Sequence, residues 1–434
     1  MTQRRMHLVA YLKTGPTANH PGAWRHPEAA LDDIFAPERY EHIARVLEEA
    51  RFDACFYADL FGLADIHGGT FDANLRLGGQ ISYLDPLVVL PLMARVTRHL
   101  GLGATLSTTF LHPYYLARTL ASLDLLSGGR MAWNIVTSAT DLEARNFGMG
   151  AIPPKDERYD RADEVLEACI ALWESWQEGA FVRDREAGVF IDPSKVRYTN
   201  FEGRWVKTRG PLSIPRSPQV RPVLMQAGSS DRGRDFAARW AELVFCTPHG
   251  KADAKAVYDD IRSRMARLGR PPDACRIMPS FAVVLGETEA IAQEKYAYLQ
   301  SLLDPDAQAM VHSALLGADL RKHGDAESLT AAQGHQGIAG STDRVLQMMR
   351  QEGISFAEAA KKPRGLLVGT ARSVADQLED WFTGGACDGF IIWPTVFPRM
   401  FEEFCRLVVP ELQRRGLFRR EYSGATLREN LARP

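Results

Sequence analysis

The sequence predicts an α/β protein whose core is a (β/α)8 barrel, with insertion segments at the C-terminal rim. Short apolar, β-branched runs alternate with stretches of helical spacing along the 434 residues. This alternation is the signature of repeated βα units and a parallel sheet. Eight units can be counted, which is the number in a closed barrel. Polar residues follow several strands, at the end where such barrels hold their ligands.

The apolar runs and the helical periodicity place the elements in chain order. The predicted strands are 7–12, 52–60, 100–109, 129–138, 223–230, 242–248, 276–285 and 388–394. The predicted helices are 37–50, 86–96, 112–126, 156–176, 231–240, 252–268, 373–382 and 397–415.

Two segments interrupt this alternation. Residues 179–219 are proline-rich and loop-like, and residues 287–365 are partly helical. We interpret both as insertions at the barrel rim within a single domain that spans 1–434. We expect the polar, arginine-rich tail after Gly416 to pack on a neighbouring subunit.

The composition excludes several classes of partner. The 52 basic and 54 acidic side chains nearly balance, so the chain lacks the basic field that nucleic acid or an anionic membrane requires. The six cysteines are scattered without metal-ligand spacing, which indicates neither a disulfide framework nor a metal site. The apolar stretch near the N-terminus is too short for a signal peptide, and no window approaches the roughly 20 apolar residues of a membrane span. We expect a soluble, cytoplasmic protein.

Polar groups at three strand ends are candidates for a ligand site. Asp59 follows the second predicted strand and is either a helix cap or a ligand contact. Ser138 follows the fourth, with the same two interpretations. After the fifth strand, Ser229 and Ser230 precede a helix, where backbone N–H groups and hydroxyls form an anion site suited to phosphate, although serine is also a common N-cap. Tyr159 could donate its hydroxyl to such a phosphate, or simply pack in an amphipathic helix.

The long loop 13–31 is a candidate active-site wall. It carries His20, Trp24 and His26 among glycines and prolines, and loops of this size often line functional sites. The alternative is a surface loop whose Trp24 plugs the barrel mouth. No nucleophile elbow, phosphate-binding Walker loop, zinc-protease motif or dinucleotide fingerprint is present, so a cofactor is expected to carry the difficult chemistry.

A combination of motifs resembles a known family. The residues that carry it are Trp133-Asn-Ile-Val-Thr-Ser138 with Ala144-Arg-Asn-Phe-Gly148, Gly22-Ala-Trp-Arg-His-Pro27, Arg158-Tyr159-x-x-Ala162-x-Glu164 and Ala227-Gly-Ser-Ser230. They look like the flavin-dependent monooxygenases of the nitrilotriacetate, dibenzothiophene sulfone and pristinamycin IIA type, within the bacterial-luciferase-like superfamily. The match extends over nearly the whole chain.

The resemblance implies a TIM barrel that binds FMN in its reduced form, FMNH2, at the C-terminal mouth. It further implies a separate NAD(P)H:flavin reductase that supplies FMNH2, and O2 as co-substrate. A C4a-(hydro)peroxyflavin would transfer one oxygen atom to a small organic substrate. The protein would then hold the flavin, exclude water and position the substrate. A homodimer or homotetramer is the assembly that the resemblance implies.

The resemblance also assigns the flavin contacts. They map onto Asp59, Thr105, Ser138, Tyr159, Ser229 and Ser230, the last three at the phosphate. The chain departs from the family at Lys155, where histidine is common. Lysine can pair with phosphate as a point charge but cannot act as a neutral imidazole. His20, Trp24 and His26 are the candidate substrate-binding residues, and no acid or base can be named.

Two other functions remain open at this point. One is a deazaflavin-dependent oxidoreductase that transfers hydride on the same barrel. The other is a barrel that binds flavin without catalysis. The substrate, the atom oxygenated and the identity of the reductase cannot be read from the sequence.

Overall fold

A closed, eight-stranded parallel barrel surrounded by helices forms the body of the molecule. The computed structural model describes residues 4–16, 20–228, 230–322, 328, 331, 337, 346, 348–354 and 365–432. Eight strands follow one another in chain order around the barrel, and the last, Gly389–Trp393, pairs with the first, His7–Leu12, to close the circle. The predicted (β/α)8 fold is therefore confirmed.

The strands are short and most are buried. They are β1 His7–Leu12, β2 Ala54–Tyr57, β3 Gly101–Ser107, β4 Met131–Val136, β5 Phe181–Asp184, β6 Val189–Ile191, β7 Phe201–Glu202, β8 Lys207–Thr208, β9 Val223–Gln226, β10 Leu243–Cys246, β11 Arg276–Leu285, β12 Leu366–Gly369 and β13 Gly389–Trp393. Strand β12 lies outside the circle and pairs with the second half of β11.

Most of the long helices follow barrel strands and pack on the outside. The described helices are α1 Pro37–Glu49, α2 Asp72–Arg76, α3 Pro86–Val96, α4 Pro113–Leu126, α5 Asp141–Asn146, α6 Lys155–Trp173, α7 Asp231–Trp240, α8 Lys251–Arg267, α9 Glu289–Ser301, α10 Pro305–Leu316, α11 Ala371–Thr383, α12 Arg399–Glu403, α13 Val409–Arg414 and α14 Leu427–Ala432. None of the helices in the described ranges has the length and apolar character needed to cross a bilayer.

Burial on both faces explains the continuous apolar runs that predicted the strands. Along β1, Leu8 and Ala10 pack outward against the helices, whereas Val9 packs inward with residues from other strands. A strand covered on both sides has no polar face, so its sequence does not alternate. Strands β1 and β11 have the predicted ends, and the other barrel strands begin or end within the predicted ranges.

The C-terminal tail closes the amino end of the barrel. Leu427 and Leu431 of α14 belong to the barrel's interior cluster, and Leu427 N donates to Gly129 O at 3.0 Å. A Cβ at Gly101 would lie 2.6 Å from Leu427 Cδ1, so glycine there leaves room for the plug. The tail thus packs on its own barrel, in contrast to the expectation that it contacts a neighbouring subunit.

The described parts of the two insertions lie at opposite ends of the barrel. Residues 287–365 follow β11, and their helix α10 covers the C-terminal mouth. Residues 179–219 instead connect α6 to β9 and form two small hairpins, β5–β6 and β7–β8. Gln219 Nε2 donates to the carbonyl of Met131, the first residue of β4, at 2.8 Å. The expectation of a C-terminal position is wrong for this segment, because a connection from a helix to the next strand returns to the amino end.

The sequence patterns missed part of the rim. Residues 61–85, which were given no structure, contain a 3₁₀ turn and the short helix α2, and helix α5 follows β4. The last predicted helix is divided into α12, a π-helical turn at Phe404–Val408, and α13. These pieces are too short for the helical period to be read from sequence.

Candidate active site

A cavity of about 370 Å³ lies at the C-terminal mouth of the barrel, within the size range of pockets that bind small molecules and cofactors. The strand ends form its floor, the segment 58–85 forms one wall, and α10 covers it. Its lining residues are Tyr11, Lys13, Phe56, Ala58, Asp59, Leu60, Ala64, Asp65, Ile66, Asn74, Gln80, Ser82, Thr105, Asn134, Val136, Ala139, Thr140, Leu142, Glu143, Ala227, Phe245, Cys246, Thr247, Met310, Val311, Ala314 and Leu315.

Two predicted cofactor residues, Asp59 and Thr105, line this cavity. Thr105 Oγ1 donates to Tyr57 O at 2.7 Å and accepts from Asn134 Nδ2 at 2.8 Å. These bonds fix the Asn134 amide in the barrel floor. Its other atom, Oδ1, is buried and has no hydrogen-bond partner among the described residues. A buried acceptor of this kind requires a donor from a bound molecule or water.

Asp59 is partly removed from water. Burial raises its pKa to about 6, against the opposing effect of hydrogen bonds from Leu60 N and the Ser82 side chain. Lys13 lines the same cavity, and burial lowers the pKa of its ammonium to about 7, although Asp59 opposes this shift. The mouth therefore holds two groups whose charged forms cost free energy when no ligand is bound.

Ser138 lies at the edge of the cavity, between the lining residues Val136 and Ala139. Its φ of 55° is in the left-handed region, and its Oγ is 2.9 Å from Glu143 Oε1. Glu143 also accepts from Thr140 Oγ1 at 3.0 Å, and Thr140 Oγ1 caps α5 by accepting from Glu143 N at 3.3 Å. The position of Ser138 is thus compatible with both interpretations made from sequence. Ser138 contacts Glu143, which is hydrogen-bonded to the N-cap residue of α5 and also lines the cavity.

Tyr159 and Ser230 come together at the amino end of α7. The Ser230 hydroxyl caps this helix by accepting from Gly233 N at 3.2 Å. Tyr159 is buried, its hydroxyl is hydrogen-bonded to the side chains of Ser230 and Gln226, and burial raises its pKa. A Cβ at Gly228 would lie 2.8 Å from the Tyr159 hydroxyl oxygen, so a glycine is needed for this close approach. Ser229, the other predicted phosphate contact, lies outside the described residues.

Tyr159, Ser230 and the amino end of α7 form what we call the phosphate cradle. Lys155 and Arg158 lie on the first turn of α6, the helix that carries Tyr159. Lys155 is the first residue of the helix and is placed one turn before Tyr159, on the same face. Arg158 is buried and donates to the Ser138 carbonyl, while its Nε has no hydrogen-bond partner among the described residues. Helix α7 also directs its positive amino end at the cradle. Together these groups form a site suited to phosphate.

The three predicted substrate-binding residues lie outside the cavity lining. Trp24 Nε1 donates to Leu77 O at 3.0 Å, and the His26 ring packs edge-on against Tyr298 with centroids 5.4 Å apart. His20 Nε2 is 3.3 Å from Gln300 Nε2, and burial lowers the pKa of His20 to about 4. These contacts attach the loop 13–31 to the segment 58–85 and to α9. The side chains of the loop therefore support the cavity mouth from outside.

Several lining residues were missed in the sequence. Lys13 directly follows β1, and polarity at a strand end could have indicated it. Asn134 interrupts an apolar strand, which is an informative signal in a buried run. Met310 and Leu315 belong to an ordinary amphipathic helix, and nothing in their spacing distinguishes a lid from a surface helix.

These residues fit a flavin mononucleotide better than a metal ion. The phosphate cradle at α7 adjoins the cavity through Ala227, and the cavity supplies an unpartnered amide oxygen on Asn134 for a ring with N–H donors. No cluster of three or more histidine, cysteine or acidic side chains suited to a metal occurs in the described ranges.

The chain is similar to characterised proteins along its whole length. Residues 16–388 match the family model of luciferase-like monooxygenases. The dibenzothiophene-sulfone monooxygenase of Rhodococcus erythropolis (strain XP) is 43% identical over 440 residues, covering 99% of this chain and 97% of that protein. Nitrilotriacetate monooxygenase component A of Aminobacter aminovorans is 39% identical over 431 residues, covering 96% and 94%. The crystal structure of a riboflavin lyase with modified FMN and its substrate riboflavin matches with a TM-score of 0.88 at 30% identity, covering 99% of this chain and 96% of that chain.

Proposed function

Because the chain belongs to the luciferase-like monooxygenase family and is a flavin-dependent oxygenase component, we propose that it uses reduced FMN and O2 to insert one oxygen atom into a small organic substrate. When bound, reduced FMN supplies the chemistry by activating O2 at C4a. The protein binds the cofactor, excludes water and orients the substrate.

The observation that carries the proposal is the convergence of Tyr159, Gln226 and Ser230 beside a cavity of flavin size. Two hydroxyls and the positive end of α7 suit a phosphate monoester. Lys155 adds a charge one helical turn from Tyr159. The crystal structure of the riboflavin lyase, described with modified FMN, supports FMN as the flavin.

The floor residues have a separate role in the proposal. Asn134, held by Thr105, offers Oδ1 to a ring N–H. Asp59 accepts a second hydrogen bond from the ring, and its pKa, raised to about 6 by burial, makes the loss of a carboxylate charge easier there than at an exposed aspartate. The apolar lid residues Met310 and Leu315 exclude water from the reacting oxygen. No side chain is assigned as an acid or base.

The proposal includes partners. The relative named as component A of a monooxygenase supports a two-component system, in which a separate NAD(P)H:flavin reductase delivers FMNH2. The homodimer or homotetramer implied by the resemblance is retained as part of the proposal, and sedimentation velocity would measure it.

The test begins with an anaerobic titration of the protein with reduced FMN and with reduced riboflavin, which lacks the phosphate. We expect FMN to bind more tightly. The variants Tyr159→Phe and Ser230→Ala should each narrow this preference by about tenfold, since each removes a hydrogen bond to a charged group. Tyr198→Phe, in the exposed first insertion, is the matched control and should change nothing.

The complex is then mixed with O2 and followed by stopped-flow absorbance. A transient spectrum unlike that of reduced or oxidised flavin would support the oxygenase. Hydride transfer from a deazaflavin without O2 consumption would favour the oxidoreductase alternative. Tight binding without turnover of any compound in a substrate panel would favour the non-catalytic alternative. Failure to bind reduced FMN would refute the proposal.

A further inference from the structure

Lys13 carries an unusual charge in the cavity. It is the first residue beyond β1, at the carboxyl end of the strand. Among the described residues that line the cavity, it has the only cationic side chain. Its Nζ donates to Gln80 Oε1 at 2.5 Å, and no carboxylate of the described residues forms a salt bridge with it. An ammonium has three N–H donors, and Gln80 accounts for one of them.

The barrel topology separates Lys13 from the phosphate cradle. Around the closed circle, β2, β3 and β4 lie between β1 and β9 on one side, and β13, β11 and β10 lie between them on the other. Strands β1 and β9 are therefore diametrically opposite. Ser230 follows β9 and Lys13 follows β1, so a phosphate bound at the amino end of α7 cannot also neutralise Lys13.

The apolar part of the cavity comes from two neighbouring segments. The wall 58–85, which holds Gln80, contributes Leu60 and Ile66 beside its polar side chains. Helix α10 packs against this wall and contributes Met310, Val311, Ala314 and Leu315. A ligand bound between α10 and Lys13 would meet aliphatic side chains along its length and one cation at its end.

We propose that Lys13 selects the substrate: the compound has an apolar body and one anionic oxygen group, a carboxylate or a sulfonate, which pairs with the Lys13 ammonium. This inference rests on the proposed function, because it names the substrate class for that oxygenase.

The carboxylates that line the cavity are themselves anionic, so Lys13 is the group there that can pair with an anionic substrate. Glu143 is occupied by Ser138, Thr140 and the Ala139 N–H. Asp59 accepts from Leu60 N, and its carboxyl is the expected flavin contact. Asp65 lies on the wall 58–85.

The pKa of Lys13 is consistent with a missing counter-ion. Burial lowers it to about 7 because the charged form is poorly solvated, and the Coulombic attraction of Asp59 only partly offsets this. An anionic ligand would restore the charged form. Tyr11, on β1, is neutral here, because burial raises its pKa.

The test uses three compounds with one apolar body: 2-naphthoate, naphthalene-2-sulfonate and the neutral 2-naphthamide. Each is titrated by calorimetry into the protein loaded with oxidised FMN, so the readout is binding and not turnover. The variants are Lys13→Met, which keeps the aliphatic length, and Lys13→Arg, which keeps the charge. Lys207→Met, in an exposed hairpin, controls for the loss of a lysine elsewhere. FMN affinity is measured for every variant.

We expect the wild-type protein to bind at least one of the two anions about tenfold more tightly than the amide. Lys13→Met should abolish this preference, whereas Lys13→Arg and Lys207→Met should retain it. A preference for one anion over the other would identify the head group. If FMN binds but no preference exists, or if Lys13→Met retains it, the inference is wrong and the proposed function stands. If Lys13→Met weakens the binding of reduced FMN more than the binding of oxidised FMN, Lys13 belongs to the flavin site and the inference is also wrong.

A second measurement needs no variant. The affinity of wild-type protein for naphthalene-2-sulfonate, whose charge is constant, should fall as the pH rises through about 7, because Lys13 loses its proton there. The groups that face Lys13 are Asp59, Asp65, Glu143 and Tyr11, and ionisation of Asp59 near pH 6 would weaken the anion in the same direction. The amide should show no such fall. Equal pH profiles for the two compounds would overturn the inference.

Discussion

Asp53 and Asp59 flank the same short strand, β2, and have opposite electrostatic environments. Asp53 precedes the strand, at the closed amino end of the barrel, and is fully buried. It pairs with His7 Nδ1 at 2.8 Å and with Arg419, and its second oxygen accepts from Leu8 N at 2.9 Å. Asp59 follows the strand, at the open mouth, and forms no salt bridge with a described residue.

The pKa values of the two carboxyls move in opposite directions. Burial alone would raise the pKa of Asp53, but Arg419 and His7 outweigh it and hold the pKa below its usual range. At Asp59 burial dominates and raises the pKa to about 6. The difference shows a division of labour within one barrel. The amino end satisfies its charges and stabilises the fold, whereas the mouth leaves charges unsatisfied for a ligand.

The largest effect on stability should come from removing the paired charge of Asp53 at the amino end of the barrel. Asp53→Asn leaves the buried Arg419 without its counter-charge and should lower the free energy of unfolding by about 3–5 kcal/mol at pH 7. Because the folded pKa of Asp53 is depressed, its contribution is present above the unfolded pKa and is lost as the pH falls through the folded value. Urea unfolding at pH 7 and at acid pH would measure this. A loss that does not shrink in acid would contradict the assignment.

The matched change at the mouth should have the opposite sign. Asp59→Asn removes a poorly solvated charge and should raise the free energy of unfolding by about 1–3 kcal/mol at pH 8. The folded pKa is raised from 3.8 to about 6, so the penalty on the wild-type protein builds up as the pH rises between these two values and is complete above pH 6. The gain in the variant should therefore vanish near pH 4. Thermal melts at both pH values would test this. The same variant should bind reduced FMN less tightly, and a destabilised variant at pH 8 would contradict the comparison.

The smallest effect separates a helix cap from a phosphate contact. Ser230→Ala and Thr370→Ala each remove an N-cap, from α7 and α11 respectively, and each should cost about 1 kcal/mol of stability. Only the first should weaken FMN binding, because Ser230 is hydrogen-bonded to Tyr159, whereas Thr370 is hydrogen-bonded to Glu289 and Ser373. Equal FMN affinity in the two variants would leave Ser230 as a cap alone.

The fold could be predicted because its signals are local. A strand buried on both faces reads as a continuous apolar run, and helices of ten or more residues show their period, so the barrel and its order were predicted correctly. The family resemblance is also confirmed, because its motifs are short runs of neighbouring residues that can be read directly from the sequence. The rim segment 61–85 was missed because its turns are short and have no period.

The site could be predicted only in part. Polar residues after strands indicated Asp59 and Ser138, and the resemblance added Thr105. Nothing local distinguished them from His20 or Trp24, which lie in an equally polar loop but contact α9 and the rim segment instead. The position of a loop side chain depends on distant segments that pack against it.

The sequence by itself determined which residues form strands and helices, because hydrophobic periodicity acts over neighbouring residues. The tertiary structure decided which partners the polar residues have, and therefore what these residues can do chemically. Arg419, 366 residues along the chain from Asp53, reaches that carboxyl because the tail folds back under the barrel. Asp59 forms no salt bridge with a described residue, and Lys13 acts on it only through a Coulombic attraction. Lys13 likewise acquires its significance from the closure of the barrel, which sets it opposite the phosphate cradle. Charge pairing and burial are properties of spatial neighbours, and the closed barrel makes those neighbours out of residues far apart in sequence.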